Sequence, residues 1–125
     1  MSGDRGCFDV LVIGAGPAGL AVADAVSGPG DLLVAILERD RVGATWHRSP
    51  PNLRVLSPWW TNILSPVELL RHNPFGLVVA NDYLRHLERF AESRKLSVRT
   101  GIDVVSVRRD GQHWLATDSS GGTWR

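Results

Sequence analysis

The sequence has a single cysteine, Cys7. That excludes an intramolecular disulfide and a Cys-x-x-Cys redox pair, and the expectation for Cys7 is a small, partly buried thiol. An excess of charge of one sign is also lacking. The 14 basic and 13 acidic side chains are interspersed and leave a net charge of +1, which gives no footing for a nucleic-acid surface or a polybasic membrane anchor. No apolar run is long and unbroken. Residues 10–26 are interrupted by Gly14, Gly16, Pro17 and Gly19 and carry Asp24, so they read as a buried strand and a packed helix rather than a membrane span. Asp4, Arg5 and Asp9 before this stretch argue against a secretory signal, and a cytoplasmic location is the expectation. Internal repeats are absent, as are a Ser-His-Asp order, a metal-ligand cluster and a second phosphate loop. No residue can therefore be named catalytic or metal-binding. A length of 125 residues suffices for one domain with a real core, and not for two.

What the sequence does have is concentrated between Phe8 and Asp40. The apolar run Asp9-Val10-Leu11-Val12-Ile13 leads into Gly14-Ala15-Gly16-Pro17-Ala18-Gly19. A helical run follows, and then Leu32-Leu33-Val34-Ala35-Ile36-Leu37, ending at Glu38. Strand, glycine turn, helix, strand and acid in that order suit a dinucleotide. Gly14 permits a sharp turn off the strand. Gly16 lets backbone N–H groups approach a pyrophosphate, and Gly19 lets the helix lie close on the sheet. Pro17 fits the first helical turn, where its missing N–H costs nothing. The helix N-terminus directs partial positive charge at phosphates. Glu38 follows the turn by about 20 residues, where a carboxylate grips ribose hydroxyls. It would repel a 2′-phosphate, which disfavours NADP here, whereas FAD and NAD both fit. The competing reading is a glycine turn with a structural role alone.

Patterning predicts strands over residues 9–13 and 32–37, with the first buried on both faces as in a parallel sheet. It predicts a helix over 17–25, with Leu20 and Ala23 on the sheet. Residues 1–6 read as a loose leader. After Glu38 the chain continues Arg39-Asp40-Arg41-Val42-Gly43-Ala44-Thr45-Trp46-His47. The Gly-Ala-Gly-Pro-Ala-Gly turn, the strand ending in Glu-Arg and this Gly-Ala-Thr-Trp segment resemble the N-terminus of flavin-containing and Baeyer–Villiger-type monooxygenases. Those are FAD enzymes with two dinucleotide-binding domains, and their corresponding segment is usually Gly-Gly-Thr-Trp. Here Ala44 replaces the second glycine, which restricts the backbone slightly. The resemblance implies that Gly14, Gly16 and Gly19, with Pro17 and Ala18 between them, line the FAD pyrophosphate. It implies that Glu38 holds the adenosine ribose and that Arg39 lies by the adenine. It also implies that Gly43, Thr45 and Trp46 approach the ribityl–isoalloxazine region.

Residues 48–66 are rich in proline and aromatics and lack periodicity. They read either as a lid over the flavin, with Trp59 or Trp60 excluding water, or as a loop whose tryptophans plug the domain edge. His47 reads as a polar loop histidine rather than a catalytic one. A short helical turn is expected over 66–71. A longer helix follows with Asn81 as N-cap and Asp82 in its first turn. Leu84, Leu87, Phe90 and Ala91 form its apolar stripe, with Arg85, Glu88, Arg89, Glu92 and Arg94 on a solvated face. Residues 97–99 read as a third strand. From Gly101 the texture changes to strands over 103–108 and 112–117 with an Asp110-Gly111 hairpin turn, and a third strand from Thr123.

The resembling family carries a three-stranded antiparallel meander at this point, which implies that the Val104 backbone bonds the adenine. It would continue with a strand ending Ala-Thr-Gly, a second glycine-turn domain for NADPH and a late Gly-Asp motif. None of these is in the sequence. The expected fold is therefore α/β: a Rossmann-like FAD-binding domain with a parallel sheet and an antiparallel β-meander, C-terminally incomplete. Residues 1–125 make one partial domain, and 101–125 open the meander within it. Three functional readings stand. The first is an FAD-dependent, NADPH-using monooxygenase-like oxidoreductase, present as its N-terminal FAD-binding part or as one subunit of a split enzyme. The second is a non-catalytic dinucleotide module completed by a partner chain. The third is an NAD-dependent dehydrogenase, which the Gly43–Trp46 segment and the meander disfavour. A second chain or a missing C-terminal portion would complete the sheet and supply the NADPH domain.

Overall fold

Three parallel strands form the centre of a computed structural model that describes residues 3–125. Strand β1 (Val10–Ile13) pairs with β2 (Val34–Leu37), and β2 pairs with β3 (Val98–Arg99), in the order β1-β2-β3. The register runs from Val10 opposite Val34 to Ile13 opposite Leu37, then Ile36 opposite Val98. Parallel neighbours need crossovers, and α1 (Pro17–Ser27) supplies the first. Leu20 and Ala23 are its buried residues, as its spacing predicts. The strand expected over 32–37 is regular only from Val34; Leu32 and Leu33 are exposed, and the Leu33 N–H donates to the Asp9 side chain instead of continuing the ladder.

The expectation that β1 is buried on both faces does not hold. Among the described residues β1 pairs with β2 alone, and Ile13 is 53% exposed. Its apolar composition is that of an inner strand, but in this structure it is an edge.

One face of the sheet packs on α1 and α3 (Ala80–Ser93). Val12, Leu20, Ile36, Leu87 and Phe90 build the core there, together with Trp59. The stripe of Leu84, Leu87, Phe90 and Ala91 is buried, joined by Tyr83 and His86. Asn81 is not the cap. The helix starts at Ala80 with Val79 before it, no side chain capping, and the Val79 carbonyl accepts the Asp82 and Tyr83 N–H groups.

The other face carries a small second core of Leu37, Ala116 and Trp124, flanked by Phe8, Leu11, Ile102 and Val104. Above it lies the meander of β4 (Val104–Asp110), β5 (His113–Asp118) and β6 (Thr123–Trp124). The pairing of Asp110 with His113 makes Gly111 and Gln112 the loop residues, one position later than expected. Register slips between Val104 and Ser106, a bulge that bends the start of β4.

The leader is a further correction. Gly3 to Phe8 lies parallel to β6. The Gly3 carbonyl accepts the Thr123 N–H at 2.9 Å, Arg5 N–H donates to the Thr123 carbonyl at 2.7 Å and Arg125 N–H to the Gly6 carbonyl at 3.0 Å. A polar segment without a local pattern is held by a partner more than 100 residues away. Residues 1–2 of the expected leader lie outside the described residues. Cys7, within this segment, is exposed rather than partly buried.

Candidate functional site

The glycine turn joins β1 to α1. Gly14 leaves the strand with φ 99°, and its N–H donates to the Leu37 carbonyl at 2.9 Å. A Cβ on Gly19 would overlap the Gly14 carbonyl oxygen and come within 3.4 Å of Val12 Cγ1, so only glycine allows the helix this close. Gly16 is the opposite case. A Cβ there would meet nothing within 4 Å, because the position faces open space. Gly16 is also the N-cap of α1, with Pro17 at its start and no side-chain cap bond. The first-turn N–H groups of a helix of 11 residues are thus presented to that space without a side-chain acceptor.

Glu38 follows β2 and is 8% exposed. Its Oε1 accepts the Ala15 N–H at 3.1 Å, and its Oε2 accepts the Asp40 N–H at 2.6 Å. The acid at the end of the second strand is therefore bonded directly to the turn that follows the first.

Gly43 brings the next segment in. Its N–H donates to the Ala15 carbonyl at 3.0 Å, and its φ is 66°. A Cβ there would stand 2.8 Å from Leu84 Cδ1. The one-turn helix α2 (Ala44–His47) begins here, so the alanine at position 44 sits in helical backbone that it tolerates well. Trp46 meets Tyr83 edge-on with ring centroids 4.8 Å apart, which ties α2 to α3.

These elements enclose a groove of about 260 Å³. Gly16 and Pro17 line it from the turn, Glu38 and Arg39 from the end of β2, and Gly43, Thr45 and Trp46 from the α2 segment. Seven of the residues singled out in the sequence therefore converge on one space. Gly14 and Gly19 shape the turn from behind and do not line the groove, and Ala18 is exposed beside it. Val104 does not reach it either. It opens β4 opposite Asp118 and packs on the second core.

Ala44 and Arg48 complete the lining. Sequence reasoning placed Arg48 at the start of an irregular loop. Arg48 is the C-cap of α2, its N–H on the Ala44 carbonyl, and a single turn of helix leaves no periodicity that would have marked it. Arg48 Nη1 donates to Asp40 Oδ2 at 2.7 Å, and Arg41 Nε lies 3.4 Å from Asp40 Oδ1. Exposed His47 is 3.2 Å from Arg41 Nη1.

Trp59 does not shield the groove. It is 0% exposed, and its Nε1–H donates to the Glu68 carbonyl at 2.9 Å, so it plugs the core, whereas Trp60 is exposed. Beside Trp59 lies a polar cluster that the sequence did not announce. Glu68 is buried, and Arg89 Nε and Nη2 donate to its two oxygens at 3.0 and 2.7 Å. Arg89 thus leaves the solvated face assigned to it. This bidentate pairing holds the Glu68 carboxyl below the usual carboxylate range against the opposing effect of burial. His86 is fully buried, and its Nε2 accepts the Leu64 N–H at 3.0 Å, which puts the ring proton on Nδ1. That Nδ1 has no hydrogen-bond partner and lies 3.8 Å from Glu68 Oε2. Burial pushes the His86 pKa down.

A profile of the pyridine nucleotide-disulphide oxidoreductases matches residues 11–123. The chain belongs to that family. It is 27% identical over 113 residues to an uncharacterized CzcO-like oxidoreductase of Geobacillus kaustophilus, a match covering 90% of this chain and 32% of that protein. Its fold superposes on a flavin-containing monooxygenase from Stenotrophomonas maltophilia with a TM-score of 0.76 and 25% identity, covering 99% of this chain and 36% of the monooxygenase. It also superposes on a bacillithiol disulfide reductase from Staphylococcus aureus, with a TM-score of 0.81, 17% identity and coverage of 100% and 37%. That likeness concerns the fold alone. The chain spans about a third of the length of these proteins. The parallel sheet with its antiparallel meander matches their Rossmann-like domain. No helix among the described residues is long and apolar enough to cross a membrane.

Proposed function

We propose that this chain is the FAD-binding portion of a flavin-dependent, NADPH-using oxidoreductase of the monooxygenase type. The observation that carries this is the groove itself. An uncapped α1 N-terminus, the open space at Gly16 and the buried Glu38 carboxylate all meet there, and the Gly43–Trp46 segment closes it.

In this reading the pyrophosphate lies along the turn at Gly16, Pro17 and Ala18 and takes the free first-turn N–H groups, while Gly14 and Gly19 shape that turn from behind. Glu38 accepts the ribose hydroxyls while keeping its bond to Ala15. Arg39, exposed at the groove rim, lies by the adenine. Gly43, Thr45 and Trp46 hold the ribityl side, with Trp46 fixed by Tyr83 and excluding water. Bound flavin would supply the redox chemistry, and these residues bind, orient and shield it. NADPH belongs to the rest of the enzyme, because the described residues offer one glycine turn of this kind.

The open edge of β1 supports a second element of the proposal. The Phe8 N–H donates to the Arg125 carbonyl at 2.6 Å, so the ladder between the leader and β6 runs directly toward β1. A further strand, from the same polypeptide or from a partner chain, completes the sheet on that side. Absorption spectra of the purified chain with and without added FAD test the flavin assignment. A perturbed flavin band with saturation near one FAD per chain is expected, and a spectrum that stays that of free FAD contradicts it.

A further inference from the structure

We infer that Arg48 is a diphosphate-contacting residue, and that it exchanges Asp40 for a phosphate oxygen when a dinucleotide enters the groove. This rests on the proposed dinucleotide function of that groove and adds to it a side-chain cation that the glycine turn does not supply.

Three observations place Arg48 in this role. It lines the same groove as Gly16 and Pro17, where the uncapped end of α1 faces open space. Its base is fixed, because the Arg48 N–H caps α2 on the Ala44 carbonyl at 3.1 Å. Its side chain is 54% exposed and, among the described residues, is held at one point, Asp40 Oδ2 at 2.7 Å. A single exposed ion pair of this kind is weak and easily exchanged. A diphosphate offers more charge and several acceptor oxygens to the same planar guanidinium.

Asp40 is prepared for the exchange. Arg41 already stands 3.4 Å from its other oxygen, so the carboxylate keeps a cation when Arg48 leaves. The Asp40 backbone is anchored separately, through its N–H to Glu38 Oε2 at 2.6 Å. The acid that grips the ribose side and the acid that stores the arginine are thus adjacent on one short stretch of chain. The groove's other arginine, Arg39, forms no ion pair among the described residues and is assigned to the adenine end.

The test is titration calorimetry of ADP and FAD on the 125-residue chain, its Arg48→Ala, Arg48→Lys and Asp40→Asn variants, and NMR of the arginine Nε–H signals. Arg48→Ala should weaken both nucleotides about tenfold, the loss expected of one charge-assisted hydrogen bond. Arg48→Lys should recover part of that loss, and Asp40→Asn should bind as tightly as the parent or tighter. The Nε–H resonance that Arg48→Lys removes should shift when ADP is added. Unchanged affinity in Arg48→Ala, an unmoved resonance, or weaker binding in Asp40→Asn overturns the exchange while leaving the groove's function standing. If the parent chain binds neither ADP nor FAD, the function of the groove falls, and the role of Arg48 falls with it.

Discussion

Glu38 and Ala15 join the two halves of the nucleotide-binding unit: the Glu38 carboxylate accepts the Ala15 N–H at 3.1 Å. The acid expected to serve a ligand therefore also serves the fold. Glu38→Ala should weaken FAD binding by roughly 1–3 kcal/mol, and lower stability too, because the Ala15 and Asp40 N–H groups lose their acceptor. Calorimetry and urea unfolding on the same variant separate the two effects. A variant as stable as the parent would show that the bond to the turn contributes nothing.

Two glycines should respond in opposite ways. Gly43→Ala puts a side chain at φ 66° and within 2.8 Å of Leu84 Cδ1, and should destabilise the fold by roughly 1–3 kcal/mol. Gly16→Val faces open space, so it should fold and melt like the parent yet fail to bind FAD. Thermal melts with parallel titrations decide this. Normal FAD binding by Gly16→Val would reduce the glycine turn to a structural role.

The buried Glu68–His86 cluster makes the chain sensitive to acid. His86 has a folded pKa below its ordinary 6.5, so the unfolded chain takes up that proton first, and stability should fall as pH drops below about 6.5. Glu68 has a folded pKa below its ordinary 4.5, so its contribution is present above that value and is lost as pH falls further. Urea midpoints between pH 8 and pH 3 should show both declines. His86→Gln should remove the upper one. An upper decline that survives in His86→Gln assigns it to another group.

Arg89→Ala isolates the ion pair. Among the described residues it leaves the buried carboxylate one guanidinium, that of Arg71 at 3.0 Å, and should cost about 3 kcal/mol. A loss below about 1 kcal/mol, within the range of exposed ion pairs, would mean that Arg71 suffices.

The open edge of β1, with Ile13 exposed, predicts that the 125-residue chain self-associates as its concentration rises. It should also consume no NADPH. Light scattering after size exclusion and an NADPH-consumption assay check both. A stable monomer that turns over NADPH with bound flavin would contradict the partial-domain account.

Local patterns carried most of the layout into the sequence. The apolar runs ending at Ile13 and Leu37, the glycine turn and the stripe on α3 each encode their own element, and these gather around the groove. What escaped depends on distant partners. The pairing of Gly3 to Phe8 with β6 has no local signature. Arg89 looks like any charged residue on a helix until Glu68, 21 positions earlier, is seen buried against it. Trp59 could have shielded a ligand or filled a core, and the contact with the Glu68 carbonyl is what separates the two. An open sheet edge was legible from the missing return strand, but that β1 itself stands there was not, because its residues are those of an inner strand. Arg48 was missed because a single turn of helix is too short to leave a periodicity.

The most direct test is competitive calorimetry of FAD, NAD and NADP on the purified chain, with Gly16→Val as the control. The account predicts one FAD per chain, NAD weaker, NADP weakest because Glu38 faces its 2′-phosphate, and no heat from Gly16→Val. Tighter binding of NAD than of FAD, or undiminished binding by the variant, would contradict it.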